Sequence, residues 1–205
     1  MANNVGAPEF RFDPESHTYW LGGVQIDGVT SMLKGMEDLS SIPPAILARK
    51  AELGTAVHYA TELDDQGQLD EDTVHEEVLG YLNGWRLFKR EHEVEFISIE
   101  QKLAHRRMRY AGTVDRVMKV DSERGVWDIK TRLEIPPVVG IQLAAYNELV
   151  RENGIADRRH KLENRAIQLK PDGTYQIHRF NHEEHYAAWI ALLTIRNWRN
   201  SHERT

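Results

Sequence analysis

The chain has 205 residues, 40% of them hydrophobic and 28% charged, which is the balance of a folded globular protein rather than a disordered one. It has no cysteine, so disulfides, thiolate metal sites and an iron–sulfur cluster are excluded. No apolar stretch approaches a membrane span and "MANNVGAPEFRF" lacks the basic and apolar regions of a signal peptide, so no membrane partner and a cytoplasmic location are expected.

In chain order, "EFRFDPESHTYWLGGVQI" reads as a hairpin, with Phe10 and Phe12, then Tyr19 and Leu21, alternating around a Gly22-Gly23 turn. "SIPPAILARKAEL" predicts a helix with Pro in its first turn that runs into Gly54, and "GTAVHYATELDD" a second, short helix. The longest helix is expected over "EDTVHEEVLGYLNGWRLFKREH", where Val74, Val78, Tyr81, Leu82, Trp85 and Phe88 form one stripe. Three strands follow, "VEFISIEQKLAH", "MRYAGTVDRVMKV" and "GVWDIKT", then a helix, "PVVGIQLAAYNELVREN". "HKLENRAIQLK" and "TYQIHRF" pair through the turn Pro171-Asp172-Gly173, and a final helix from residue 182 to about 200 carries Tyr186, Trp189, Leu192, Leu193 and Trp198. Helices around a central run of strands predict one α/β or α+β layered domain over 1–205, with a central mixed sheet. Its parts are an N-terminal hairpin and helices (1–93), a core (94–155) and a C-terminal hairpin and helix (156–205).

Charge is unevenly spread. The net charge of −6 argues weakly against a nucleic-acid partner, yet residues 102–132 carry nine Lys and Arg against four Asp and Glu, whereas residues 1–101 carry seven against nineteen. Within that basic third, "GTVDRVMKVDSERGVWDIKT" places Asp115, Asp128 and Lys130 among β-branched residues. Alternation puts Asp128 and Lys130 on one strand face and Asp115 on a face with Thr113 and Val117; the turn near 121–125 can bring all three together. Two converging acids repel each other, and a hard divalent cation such as Mg²⁺ or Mn²⁺ relieves the cost. A neighbouring lysine suits the stabilisation of charge on a phosphate. The plainer alternative is a charge pair on the wet face of a sheet.

G-x-x-D at Gly112–Asp115, D-x-K at Asp128–Lys130 and Q-x-x-x-Y at Gln142–Tyr146 together resemble the PD-(D/E)XK nuclease superfamily. "GTAVH" at 54–58 and "HTYWLGGVQIDGVTSML" resemble its RecB-like and phage-type exonuclease branch. The resemblance covers residues 17–146 and implies a restriction-endonuclease-like core. It implies that His58, Asp115, Asp128 and the backbone carbonyl of Ile129 hold Mg²⁺ or Mn²⁺. It further implies that Asp115, Asp128 and Lys130 are catalytic and that Gln142 and Tyr146 lie near the substrate. The implied activity is metal-dependent DNA hydrolysis, as an exonuclease acting on free ends in phage recombination or processing, with a recombination protein as a possible partner. A structure-selective endonuclease and a silent DNA-binding subunit are the rival expectations. Asp128 stands where the family often has Glu, which keeps the carboxylate and shortens its reach. Glu100 is in range to add an acid, though a strand end is more often solvated; Arg106, Arg107 and Arg109 are candidate phosphate contacts; Tyr110 and Trp127 are expected in the core. The segment Pro43–Asp65 is expected to wall a passage for a strand end.

Overall fold

A computed structural model describes residues 8–157 and 159–202, so the leader-free reading of the first seven residues lies outside the described residues. The order of elements is β1 (Phe10–Asp13), β2 (Thr18–Leu21), β3 (Val24–Gly28), α1 (Val29–Leu33), α2 (Pro44–Gln66), α3 (Glu76–Glu91), β4 (Val94–His105), β5 (Tyr110–Val120), β6 (Glu123–Lys130), α4 (Val138–Glu152), β7 (Glu163–Leu169), β8 (Tyr175–Phe180) and α5 (His182–His202). Among the described residues the strands form one eight-stranded mixed sheet flanked by helices, and no helix is long and apolar enough to cross a membrane.

The sheet separates two apolar layers. On one face α4, with Leu143, Ala145 and Leu149, is sandwiched between the sheet and α5, whose Trp189 and Leu193 close the layer. On the other face Val57 and Ala60 of α2 and Val78, Trp85 and Phe88 of α3 pack on Trp127, Ile129 and Ile167. Alternation along β6 therefore sends Trp127 and Ile129 to the α2–α3 layer and Val126, Asp128 and Lys130 to the α4 layer. Each large side chain buried this way contributes about 1.5–3 kcal/mol, which fixes the strand's facing and, with it, the direction of its two charges.

Two pairings around β5 shape the rest. β4 pairs antiparallel with β5 from Tyr110 to Val120, which occupies one edge of that strand throughout. The other edge is divided: β3 runs parallel to Tyr110 and Ala111, and β6 runs antiparallel to Arg116–Val120. Residues 112–115 lie in the fork. β6 and β7 are parallel neighbours joined through α4, whose first turn thus starts close to the end of β6.

Several expectations change in detail. The two helices predicted on either side of Gly54 are one continuous helix, α2, because a lone glycine only weakens a helix that Ala-rich flanks maintain. The N-terminal hairpin is a three-stranded meander, since Asp13 accepts from Ser16 Oγ at 2.6 Å and from the Glu15 N–H at 3.2 Å and makes a first turn ahead of Gly22-Gly23. The helix expected to be the longest begins at Glu76, after a 3₁₀ turn over Glu71–Thr73, and its 16 residues make it shorter than α2, with 23; His75 Nδ1 accepts from the Glu77 N–H at 3.2 Å and caps it there.

Candidate active site

The fork in β5 brings the predicted residues together. Arg116 pairs with Trp127 as the last rung of the β5–β6 ladder, so Asp115 and Asp128 face each other one step beyond it. There the side chain takes over from the backbone: the Ile129 N–H donates to Asp115 Oδ2 at 2.8 Å. His58 enters the gap from α2. Its Nε2 lies 2.9 Å from the Ile129 carbonyl, as a donor, which turns Nδ1 toward Asp115 Oδ2 at 3.4 Å and Glu100 Oε1 at 3.7 Å.

Glu100 lies within this cluster rather than in solvent. It is opposite Asp115 on β4, because Ile99 pairs with Arg116 and Gln101 with Val114. Its φ of +46° is in the left-handed region, a conformation that costs a non-glycine residue about 1–3 kcal/mol and persists where the surroundings require it. His58, Glu100 and Asp115 each present a donor atom within 4.8 Å of the others. One imidazole nitrogen and two carboxylates suit a hard or borderline divalent ion.

Asp128 and Lys130 form the adjoining half of the site. Lys130 Nζ lies 2.5 Å from Asp128 Oδ2 and donates to Gln142 Oε1 at 3.2 Å. Gln142 Nε2 donates to Asp128 Oδ1 at 3.1 Å and to the Tyr146 hydroxyl at 3.2 Å. Asp128 Oδ2 is buried and has no well-aligned hydrogen bond, so the lysine's charge is its main compensation, with His58 adding a smaller one. Gln142 and Tyr146, one turn apart on α4, thus hold the acid and the lysine in register. Gly112 makes room for this: a Cβ there would stand 2.6 Å from Tyr146 Cε1.

The titrations follow from burial and crowding. Burial alone would lower His58, but the Asp115 and Glu100 carboxylates outweigh it and raise the imidazole to about 9. Burial pushes Asp115 up, against the pull of His58. Burial also lifts Asp128 to about 6, with Lys130 opposing and Asp115 reinforcing. Without a cation, then, the cluster holds protons that a metal would displace.

Behind the site, Arg116 is wholly buried. Its guanidinium bonds Asp65 Oδ2 at 2.9 Å, Glu100 Oε1 at 3.1 Å and the Asp115 carbonyl at 2.7 Å, so it sets the position of two of the carboxylate-bearing residues. Nothing in the spacing separated this arginine from the other cations of its basic third; its place between Asp115 and Val117, on the opposite strand face, was the only signal. Arg106, Arg107 and Arg109 lie in or beside the β4–β5 turn and are not part of the cluster, while Tyr110 and Trp127 are core residues as expected.

No protein-family profile matches the chain, and no curated protein matches it significantly.

Proposed function

We propose that the chain is a divalent-metal-dependent DNA nuclease, built on a restriction-endonuclease-like core, that hydrolyses phosphodiester bonds as an exonuclease. The observation that carries the reading is the meeting of Asp115 and Asp128 one step beyond the last rung of a ladder, with Lys130 beside them and His58 and Glu100 closing the far side. Three acids meet here beside Lys130, His58 and an Arg116 shared with Asp65, an excess of negative charge that suits a cation site. The donor set fits Mg²⁺ or Mn²⁺: His58, Glu100 and Asp115 would hold the ion, with Asp128 Oδ2 and the second lone pair of the Ile129 carbonyl within the same end of the fork. Bound there, the metal would supply charge neutralisation at the scissile phosphate and a lowered pKa for a coordinated water. Lys130 would place its ammonium against the charge that builds on the phosphate in the transition state. Gln142 keeps that ammonium and Asp128 in fixed rotamers, which limits reorganisation as the charge develops.

The exonuclease subtype is supported by α2. From Pro44 to Ala56 none of its residues is buried, and of its apolar side chains only Leu53 packs on the α2–α3 core among the described residues, so the half-helix leading to His58 is exposed enough to serve as one wall of a passage. The decisive experiment incubates the protein with end-labelled linear DNA and with covalently closed single-stranded circles, in Mg²⁺, in Mn²⁺ and in EDTA. Linear DNA should be degraded in either metal and spared in EDTA, and circles should survive throughout. Cutting of circles would make it an endonuclease, and inertness of folded protein in both metals would remove the nuclease reading.

A further inference from the structure

We infer that a cavity adjoining Lys130 seats one phosphate-bearing nucleotide unit, and that the Glu37–Arg132 ion pair occupies, with a carboxylate, the place of that phosphate. The inference rests on the nuclease reading of the neighbouring site. The cavity, about 280 Å³ and open to solvent, shares Lys130 and Gln142 with that site and is otherwise lined by the end of α1, the chain after it, the loop after β6 and the first turn of α4. Its volume is close to the lower end of small-ligand pockets, about 300 Å³, the size class of one nucleotide unit.

Its chemistry is divided as a nucleotide is. Leu33, Val138 and Val139 give an apolar wall for a sugar and base, whereas Lys34, Lys130 and Arg132 bring three cations to the rim. Glu37 is the only acid lining it, in a chain whose net charge is −6. That acid is held by Arg132 through both guanidinium nitrogens, at 2.9 and 2.8 Å. The same planar fork binds phosphate in the same two-pronged way, so carboxylate and phosphate compete for it.

The pair is arranged to open from one side. Gln168 Nε2 donates to the carbonyls of Arg132 and Leu133 at 2.6 and 2.8 Å, which fixes the backbone beneath the arginine. Residues 34–43 make otherwise local bonds, such as the Ser40 hydroxyl to Asp38 at 2.6 Å. Among the described residues, the Arg132 contact is the only side-chain hydrogen bond or ion pair tying that segment to a distant element. Both partners are partly exposed, and exposed ion pairs contribute little stability. An arriving phosphate therefore displaces Glu37 and leaves Arg132 in place.

The test is binding of thymidine 5′-monophosphate in EDTA, followed by calorimetry, with unphosphorylated thymidine as control. Removing the competing carboxylate in Glu37→Gln should tighten binding about three- to tenfold, and Arg132→Ala should weaken it about tenfold or more, the scale of one charge-assisted contact. Lys34→Ala, which leaves the ion pair intact, should weaken it by a smaller factor. Unchanged or weaker binding in Glu37→Gln, unchanged binding in Arg132→Ala or Lys34→Ala, or equal binding of thymidine, would overturn the assignment. Cleavage of linear DNA in Mg²⁺, run in parallel, reports on the nuclease reading separately. A protein that cleaves while its monophosphate affinity ignores these residues has lost only the cavity. One that binds as expected without cleaving has lost only the nuclease.

Discussion

Two charged clusters lie on either side of the central strands, and they are built to opposite ends. Between α2 and α3, Asp64, Asp65 and Glu71 meet Arg86, Lys89 and Arg116, three acids against three permanent cations. Arg86 and Lys89 reach Asp64 at 2.5 and 2.7 Å, Lys89 and Arg116 reach Asp65 at 2.7 and 2.9 Å, and Trp85 Nε1 donates to Asp65 at 2.8 Å. Burial works against the Asp64 charge, but Arg86 and Lys89 hold its carboxyl below the usual range. In the fork, Glu100, Asp115 and Asp128 face one lysine, one histidine and a share of Arg116, which reaches Glu100 at 3.1 Å while also holding Asp65, and burial raises both aspartates. Depth is not what separates the clusters, since Asp65 and Asp128 are equally inaccessible. The number of partners is. A closed cluster holds a fold together, and an open one keeps a place for something outside the chain.

The sharpest way to break the comparison is to empty each cluster in turn. Asp115→Ala, Asp128→Ala and Lys130→Ala should each lower DNA cleavage by about a thousandfold or more while circular dichroism stays native. In Lys130→Ala, DNA affinity measured without metal should fall far less, because many phosphate contacts share it. The open cluster should tolerate neutralisation: Asp128 has a folded pKa of about 6, above its ordinary value near 3.8. Its charge thus costs stability above pH 6, and that cost disappears as pH falls through 6 toward 3.8. Asp128→Asn should accordingly melt at or above the wild-type temperature at pH 8.

The closed cluster should behave in the opposite sense. Arg116→Met leaves Asp65 buried with less compensation and should cost about 3–5 kcal/mol, read from the urea midpoint. A milder lesion, Gly112→Ala, drives a methyl into the Tyr146 ring and should cost about 1–3 kcal/mol, with cleavage impaired because Gln142 and Tyr146 move together. The smallest effect is pH-dependent. His58 rises from about 6.5 unfolded to about 9 folded, so its contribution in metal-free protein is complete below pH 6.5 and is lost as pH climbs through 9. His58→Gln should therefore destabilise the protein at pH 6 and hardly at all at pH 10, as thermal melts at the two values will read.

Much of the frame was legible in the sequence because period and turn chemistry are local. The alternation around Asp128 and Lys130, the Pro171-Asp172-Gly173 turn and the α3 stripe all have causes within a few residues. The α2 boundary was not, since a glycine that stops an isolated helix survives where its neighbours sustain one. Within the site, Asp115, Asp128 and Lys130 came from spacing along one hairpin. Glu100 depended on β4–β5 register, and Arg116 on a tertiary pairing with α2, neither of which any local pattern encodes. The basic excess of residues 102–132 also overstated the surface charge, because Arg116 is used internally.

The divided edge of β5 also bears on how the molecule comes apart. The β1–β3 meander has its own small cluster, Tyr19, Leu21 and Ile26 against Ala104 and Ala111, and joins the rest of the sheet through two backbone pairs, Asp27 with Tyr110 and Gly28 with Ala111. Beyond these pairs it is tied by Tyr19 Oη to Thr113 Oγ1 at 3.0 Å and by Asp27 to Arg196 at 2.8 Å, and a unit attached so narrowly should open ahead of global unfolding. Its amides should exchange with solvent sooner than those of β5–β7, and each such opening unzips one arm of the fork beside Asp115 without disturbing the layer that holds Asp128 and Lys130.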